Sequence, residues 1–80
     1  MNLVVPTLEG DAEVRLVKWM RRVGEAVKAS EIVAELETDK ANFDLASPIA
    51  GTLIEQRVAA GTVVTRGQVV GHVSPGPWAR

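Results

Sequence analysis

Short stretches of alternating apolar and polar residues, separated by turn-forming residues, recur along the chain. The alternation is clearest in the middle, where Ile32, Ala34 and Leu36 can face one way and Glu35 and Glu37 the other. Val is the most frequent apolar residue, and aromatic residues make up only 4% of the chain. This pattern predicts an all-β domain of short strands. We expect strands at Leu3–Val5, Val14–Trp19, Ala26–Val27, Ile32–Glu37, Asn42–Ala46, Thr52–Arg57, Val63–Val64 and Gln68–Val73.

One segment also fits a helix, because Leu16, Trp19, Met20 and Val23 follow the spacing of a helical apolar face. An internal repeat favours the strand instead. When the sequence is shifted by 37 positions, residues 16–36 fall on residues 53–73, and apolar positions and turn glycines coincide. The identical pairs are Leu16/Leu53, Gly24/Gly61, Val27/Val64 and Val33/Val70.

The repeat predicts two similar halves packed face to face, as a flattened sandwich of two four-stranded antiparallel sheets with pseudo-two-fold symmetry. That symmetry places the turn at 38–41 at one end and both chain termini at the other. Gly24 and Gly61 are expected to adopt positive φ in equivalent turns. The run Ser74-Pro75-Gly76-Pro77 is not expected to continue a sheet, so we assign 1–74 to the domain and 75–80 to a tail or the start of a linker.

Composition excludes several classes of function. The chain has 80 residues, no Cys, one His and a formal net charge of −1. It therefore lacks the residues for a disulfide scaffold, a thiolate zinc site or a multi-histidine metal cluster. A near-neutral charge gives no general attraction to nucleic acid or anionic membranes. We predict no metal site and no catalytic residue, expect His72 to point outward, and expect Trp19 to be half-buried in the sandwich.

The segment ELETDKANFD carries the chemistry. Two alternating strands meet there at a four-residue turn, which leaves Lys40 at the tip among Glu37, Asp39 and Asp44. We expect the Asp39 carboxylate to bond nearby backbone N–H groups. A catalytic amine needs burial or cationic neighbours, and an exposed acidic turn offers neither. The plain interpretation is a solvated lysine, and the functional one is an amine that enters another enzyme's active site and accepts an acyl group.

From Leu3 to Val73 the chain resembles the lipoyl domains of 2-oxo acid dehydrogenase complexes. The motif ETDKA is similar to the lipoyl-attachment motif of that family, with Lys40 in the place of its modified lysine. Other matches are Pro6 with Leu8, Lys18-Trp19, Val23-Gly24-Glu25, Ser47-Pro48 with Ala50-Gly51, and Gly61 with Gly67-Gln68. The resemblance implies a barrel-sandwich hybrid fold with the modified lysine on an exposed hairpin.

The resemblance also implies roles for residues around Lys40. The modifying ligase is expected to recognise Glu37, Thr38, Asp39, Ala41 and Gly51. A loop beside the lysine is expected to select the partner dehydrogenase, and it comprises Thr7, Leu8, Glu9, Gly10, Asp11, Ala12 and Glu13. The sequence LEGDAEVRLVKW departs from the family here: it is one residue shorter and has Val14 where Gly is usual. That change bears on the partner's identity more than on the fold.

The implied function is a swinging-arm carrier with lipoate covalently attached to Lys40, and not an enzyme in itself. Its expected partners are a lipoate-protein ligase or lipoyl/octanoyl transferase, a thiamin-diphosphate-dependent 2-oxo acid decarboxylase, the acyltransferase core and dihydrolipoyl dehydrogenase. The expected location is the bacterial cytoplasm, or the mitochondrial matrix in a eukaryote. Two alternatives stay open: a biotin carboxyl carrier domain, although those usually have Met on both sides of the lysine, and an unmodified lipoyl-like structural module.

Overall fold

A computed structural model describes residues 1–6 and 13–75 of the chain, and within them the regular structure consists of β-strands. All eight predicted strands are present, and the segment that also fitted a helix is a strand. The strands are β1 (Asn2–Val4), β2 (Val14–Trp19), β3 (Ala26–Val27), β4 (Ile32–Glu37), β5 (Asn42–Ala46), β6 (Gly51–Gln56), β7 (Thr62–Val64) and β8 (Val69–Pro75). No helix in these two ranges is long and apolar enough to cross a membrane.

The strands form two four-stranded sheets, in the orders β1-β8-β6-β3 and β5-β4-β2-β7. Every neighbouring pair is antiparallel. The sheets remain open and pack as a sandwich, which confirms the predicted fold class. Each half of the chain contributes two strands to each sheet, so each four-stranded sheet needs both halves.

The internal repeat is a real symmetry of the fold. A shift of 37 residues carries β2, β3 and β4 onto β6, β7 and β8, and it carries one sheet order onto the other. Hydrogen bonds between the halves repeat in the same way. The Gly24 N–H donates to the Leu53 carbonyl at 2.7 Å, and the Gly61 N–H donates to the Leu16 carbonyl at 2.6 Å. The two glycines have φ of 97° and 90°, as the repeat predicts.

The core consists of inward-facing aliphatic side chains from both sheets. Its fully buried members include four leucines and several valines, and Trp19 and Phe43 pack against its margin. Burial of each such side chain stabilises the fold by roughly 1.5–3 kcal/mol relative to leaving it exposed to water. The largest fully buried apolar side chains are those of Leu3, Leu16, Leu36, Leu53, Val5, Val14, Val33, Val70 and Val73.

Strict alternation in β4 fails at one point. Val33 and Ala34 are consecutive in sequence, and both are fully buried. The register of β4 against β5 shifts between Ile32 and Ala34, so Val33 is the extra residue of a bulge. The prediction that Ile32, Ala34 and Leu36 form one uninterrupted inward face is therefore wrong at Ile32, which is only half-buried.

The last strand extends further than the sequence suggested. β8 continues through Ser74 to Pro75, which pair with Thr52 and Gly51 of β6. The expectation that Ser74-Pro75 ends the sheet is wrong, because Pro75 is the final residue of its strand and only its own N–H is missing from the ladder. The other strand limits differ from the predictions by one or two residues at most.

The two ends of the sandwich are different. Strand β4 runs to the turn at 38–41 and β5 returns from it, so Ala46 lies opposite Ile32 at the far end. Gly51 pairs with Pro75 there, and the Met1 carbonyl accepts a hydrogen bond from the Val73 N–H. The turn and the terminal residues that the structure describes thus lie at opposite ends, as the repeat predicts.

Candidate functional site

Lys40 lies at the tip of the hairpin that connects β4 and β5. The Thr38 N–H donates to the Ala41 carbonyl at 2.8 Å and closes the turn. Lys40 is exposed, as are Asp39 and Ala41 beside it. The predicted position of the lysine is confirmed, and its amine is accessible to a large partner.

The Thr38 hydroxyl holds the inside of this turn together. Its Oγ1 accepts the Lys40 N–H at 3.3 Å and the Ala41 N–H at 3.2 Å, and it donates to the Ala41 carbonyl at 3.2 Å. We expected the Asp39 carboxylate to bond the turn's backbone. Within residues 1–6 and 13–75, Asp39 makes no hydrogen bond, so that expectation is wrong and Thr38 has the role instead.

A cleft of about 350 Å³ opens beside the hairpin. Strand β2 forms its other side, because Arg15 is aligned with Glu37 across the β2–β4 pair. Among the described residues that line the cleft, three carry a carboxylate and one a guanidinium. These residues are Glu13, Arg15, Glu37, Thr38 and Asp39.

The predicted partner-selecting loop is described only at its end. Glu13 is exposed and lines the same cleft as Glu37 and Asp39, which places this end of the loop beside the hairpin. Thr7, Leu8, Glu9, Gly10, Asp11 and Ala12 lie outside the described residues.

Acidic residues dominate the outer face of the hairpin. Glu35 lies directly opposite Asp44, and Glu37 lies opposite Asn42. Like charges in opposed positions weaken a strand pair, so this arrangement is not explained by sheet stability. Lys18 lies on the other side of Glu35. Lys40 is exposed at the tip of this hairpin, so it lacks the burial by which a catalytic amine is activated.

Gly51 is not part of this site. It lies in the other sheet, between Val27 and Pro75, at the end of the sandwich remote from the hairpin. A Cβ at this position would stand 1.9 Å from the Ser74 carbonyl oxygen. The fold itself therefore requires glycine here. The predicted role of Gly51 in ligase recognition stays a prediction.

Sequence reasoning missed one residue of the site, Arg15, and the role of another, Thr38. Arg15 was found only through the sheet register, although its outward position follows from the alternation in β2. The turn-forming use of Thr38 was also missed, although a threonine two residues before a turn N–H is a known backbone acceptor. Glu37, Thr38, Asp39, Lys40 and Ala41 are together as predicted.

Trp19 and His72 have structural partners away from the hairpin. Trp19 is half-buried, and its Nε1–H donates to the Val58 carbonyl at 3.0 Å. His72 Nδ1 lies 2.9 Å from the Asn2 side-chain oxygen. Across the described part of the chain, no group of three or more His, Cys, Asp or Glu residues is arranged to hold a metal ion.

Comparison with known families gives a match over most of the chain. Residues 3–73 match the biotin/lipoyl family model described as "Biotin-requiring enzyme". The chain is 41% identical over 73 residues to the dihydrolipoyllysine-residue succinyltransferase component of the 2-oxoglutarate dehydrogenase complex of Bartonella vinsonii subsp. berkhoffii, covering 90% of this chain and 18% of that protein. It is 33% identical over 75 residues to the corresponding Rickettsia typhi component, covering 92% and 19%.

A further relative belongs to a different complex. The chain is 36% identical over 62 residues to the dihydrolipoyllysine-residue acetyltransferase component of the pyruvate dehydrogenase complex of Staphylococcus aureus, covering 78% of this chain and 14% of that protein. The chain thus spans only part of these relatives, from 14% of the length of the Staphylococcus aureus protein to 19% of the Rickettsia typhi protein.

Solved structures share the fold. The solution structure of the lipoyl domain of the 2-oxoglutarate dehydrogenase complex of Azotobacter vinelandii has a TM-score of 0.79 and 27% identity, covering 95% of this chain and 98% of that one. The urea carboxylase of Kluyveromyces lactis has a TM-score of 0.66 and 21% identity, covering 88% of this chain and 7% of that one. The second likeness concerns the fold alone.

Proposed function

The chain belongs to the family of biotin and lipoyl attachment domains, and from that membership we propose that it is a lipoyl domain carrying lipoate amide-linked to the Nζ of Lys40. One observation carries the proposal. Lys40 is an exposed amine at the tip of a hydrogen-bonded turn, flanked by Asp39 and Ala41, in a chain whose relatives are named for a dihydrolipoyllysine residue.

The attachment is an acyl transfer to nitrogen. The deprotonated Lys40 amine attacks the carbonyl of lipoate that has been activated as an adenylate by a lipoate ligase, or of a lipoyl group held as a thioester by a transferase. The C–N bond forms as the bond from the carbonyl carbon to AMP or to the thiol sulfur breaks. The proton lost from the ammonium and the proton lost from the attacking nitrogen pass to solvent or to the leaving group. The turn contributes by holding the root of the side chain fixed and exposed.

Bound lipoate supplies a disulfide that accepts an acyl group together with two electrons. The residues of this chain perform none of that chemistry. Their role is to present the arm and to hold it within reach of successive active sites, which raises the effective concentration of the bound intermediate.

The proposed partners follow from the complexes that the relatives belong to. These are a thiamin-diphosphate-dependent 2-oxo acid decarboxylase, an acyltransferase core and dihydrolipoyl dehydrogenase. The relatives act in complexes for 2-oxoglutarate and for pyruvate, so the proposal names the class of 2-oxo acids as the source of the acyl group. Glu13 and Arg15 beside the hairpin are the described residues best placed to contact such partners.

Mass spectrometry of the purified domain tests the attachment. The domain is incubated with lipoate, ATP and a lipoate ligase, and separately with biotin, ATP and a biotin ligase, and then analysed by intact mass and peptide mapping. We expect a single lipoyl adduct on Lys40. The Lys40→Arg variant should take no adduct, and Lys28→Arg, a change at another exposed lysine, should be modified like the wild type.

Three results would contradict the proposal. Biotin at Lys40 without lipoate would move the protein to the biotin carriers. A lipoyl adduct that persists in Lys40→Arg would place the attachment elsewhere. A folded domain that takes neither group from active ligases would leave an unmodified structural module.

A further inference from the structure

We propose that Thr38 is a positioning residue for the modification of Lys40, acting through its hydroxyl on the lysine's own backbone. This inference rests on the proposed attachment at Lys40 and adds how the chain prepares that residue. The alternative is a direct contact between Thr38 and the modifying enzyme.

The hydrogen bonds of Thr38 all return to the turn. Its backbone N–H donates to the Ala41 carbonyl at 2.8 Å, and its hydroxyl donates to the same carbonyl at 3.2 Å. The same hydroxyl oxygen accepts the N–H groups of Lys40 and Ala41, at 3.3 and 3.2 Å. The side chain of Thr38 thus makes three hydrogen bonds to Lys40 and Ala41, and its backbone makes a fourth, to Ala41.

A threonine hydroxyl has one donor and two acceptor positions. All three are used inside the turn, so the hydroxyl has no hydrogen-bonding capacity left for another protein. Thr38 is half-buried rather than exposed, unlike its three followers Asp39, Lys40 and Ala41. Both observations favour an internal role over recognition.

The choice of threonine adds rigidity. Its branched Cβ restricts χ1, so the hydroxyl is held in the rotamer that reaches the two N–H groups. The Lys40 backbone is therefore fixed before any enzyme binds, and only the side-chain torsions stay free. A fixed root lowers the entropic cost of bringing the amine to the activated carbonyl in the transition state, so we expect it to raise the rate of transfer.

Amide hydrogen exchange of the unmodified wild-type domain gives the first test and needs neither a variant nor a ligase. The N–H groups of Lys40 and Ala41 have acceptors in the turn, whereas in the described part of the chain the Asp39 N–H has none. We expect exchange at Lys40 and Ala41 to be slower than at Asp39, relative to the rates of an unstructured peptide. Equal relative rates at the three positions would overturn the proposal.

Kinetics of lipoylation give the second test, with Thr38→Val and Thr38→Ser compared. Valine keeps the shape and removes the hydroxyl, and we expect kcat to fall about tenfold, the equivalent of about one hydrogen bond, with KM little changed. Serine keeps the hydroxyl, and we expect it to restore kcat to within about threefold of the wild type, since only χ1 rigidity is lost. Circular dichroism confirms that each variant is folded before it is assayed.

The outcomes separate this inference from the proposed function. A wild-type domain that takes no lipoate contradicts the attachment, while the exchange experiment still tests the turn. A Thr38→Val domain with wild-type kcat, or one with raised KM and unchanged exchange at Lys40, shows that Thr38 does not position the lysine.

Discussion

The backbone of Gly51 passes so close to Ser74 that a Cβ on residue 51 would stand 1.9 Å from the Ser74 carbonyl oxygen. This contact is also where the two halves of the chain differ. Strand β4 ends at Glu37 and leads into the hairpin, whereas β8 continues past the equivalent residue, Ser74, to pair Pro75 with Gly51. The equivalent of Gly51 in the first half is Val14, which has no such neighbour and is buried as part of the core.

Gly51→Ala should therefore destabilise the domain. A methyl group cannot fit against the Ser74 carbonyl unless β6 and β8 separate, and we expect a loss of about 1–3 kcal/mol or more in the free energy of unfolding. Urea denaturation followed by circular dichroism measures the loss. Ala50→Ser, at the exposed preceding residue, should change stability by less than about 0.5 kcal/mol.

The same variant separates two explanations for glycine at this position. If the role of Gly51 is structural alone, as its place at the end remote from Lys40 suggests, folded Gly51→Ala is lipoylated at the wild-type rate when assayed well below its melting temperature. The predicted recognition of Gly51 by the ligase requires a slower rate. A variant that is as stable as the wild type but poorly modified would instead show that the ligase touches residue 51.

Much of this fold was predictable because local rules and the repeat point the same way. Alternation of period two gave all eight strands, and the coincidence of Leu16 with Leu53 and of Gly24 with Gly61 gave the two sheets and their symmetry. Lys40 was placed correctly because a polar four-residue turn between two amphipathic strands leaves its middle residues without neighbours.

Features that depend on the geometry of the folded chain, and not on the local pattern of residues, were not predictable. Strand β8 can continue to Pro75 beside Gly51 because glycine has no side chain there. The two residues come together only in the folded sheet. Choosing between Asp39 and Thr38 as the side chain that bonds the turn requires the turn's geometry, since either type can do so. The alignment of Arg15 with Glu37 likewise requires the register of β2 against β4.

The Trp19 side chain joins β2 to the connection after β6. Its Nε1–H donates to the Val58 carbonyl at 3.0 Å, and its ring lies against Gly71, where an added Cβ would approach the ring to 3.2 Å. Trp19→Phe removes the donor and part of the ring. We expect a loss of about 1–2 kcal/mol in thermal or urea unfolding, because the Val58 carbonyl is left without this donor in a half-buried position. A variant as stable as the wild type would show that water replaces the indole at no cost.

Glu31 makes stability depend on pH. Its Oε1 accepts the Lys28 N–H at 2.8 Å, and its Oε2 forms an ion pair with Arg21. The Lys28 N–H first, and the Arg21 guanidinium after it, hold the pKa of Glu31 below its ordinary value of 4.5. A lowered folded-state pKa means that the carboxylate's contribution is present above about pH 4.5 and is lost as the pH falls through the folded-state value.

The variant Glu31→Gln tests this dependence. Its amide oxygen can keep the bond to the Lys28 N–H, as Gln68 does for the Thr65 N–H at 2.8 Å in the equivalent turn. We expect a lower Tm than the wild type at pH 7, and a difference in Tm that shrinks as the pH falls below about 4.5 and through the folded-state pKa of Glu31. A difference in Tm that is constant across this range would show that the charge of Glu31 is not responsible.

Val33 and Val70 occupy equivalent bulges, which gives a direct test of the symmetry. Val33 is the extra residue between Ile32 and Ala34 opposite β5, and Val70 is the extra residue between its own neighbours opposite β1. Both are fully buried, and each carbonyl accepts a backbone N–H at 2.7 Å, from Met20 and from Arg57. The bulge turns each of these valines into the core beside a second residue that is also buried.

We expect Val33→Ala and Val70→Ala to lower the free energy of unfolding by similar amounts, about 2 kcal/mol each, from lost burial and the cavity left behind. Val63→Ala is the matched control, because Val63 is 49% exposed, and its change should stay within about 0.5 kcal/mol. Urea denaturation of the three variants measures all of these values. A large loss at only one of the two bulges would show that the two halves share a backbone path but do not contribute equally to the stability of the core.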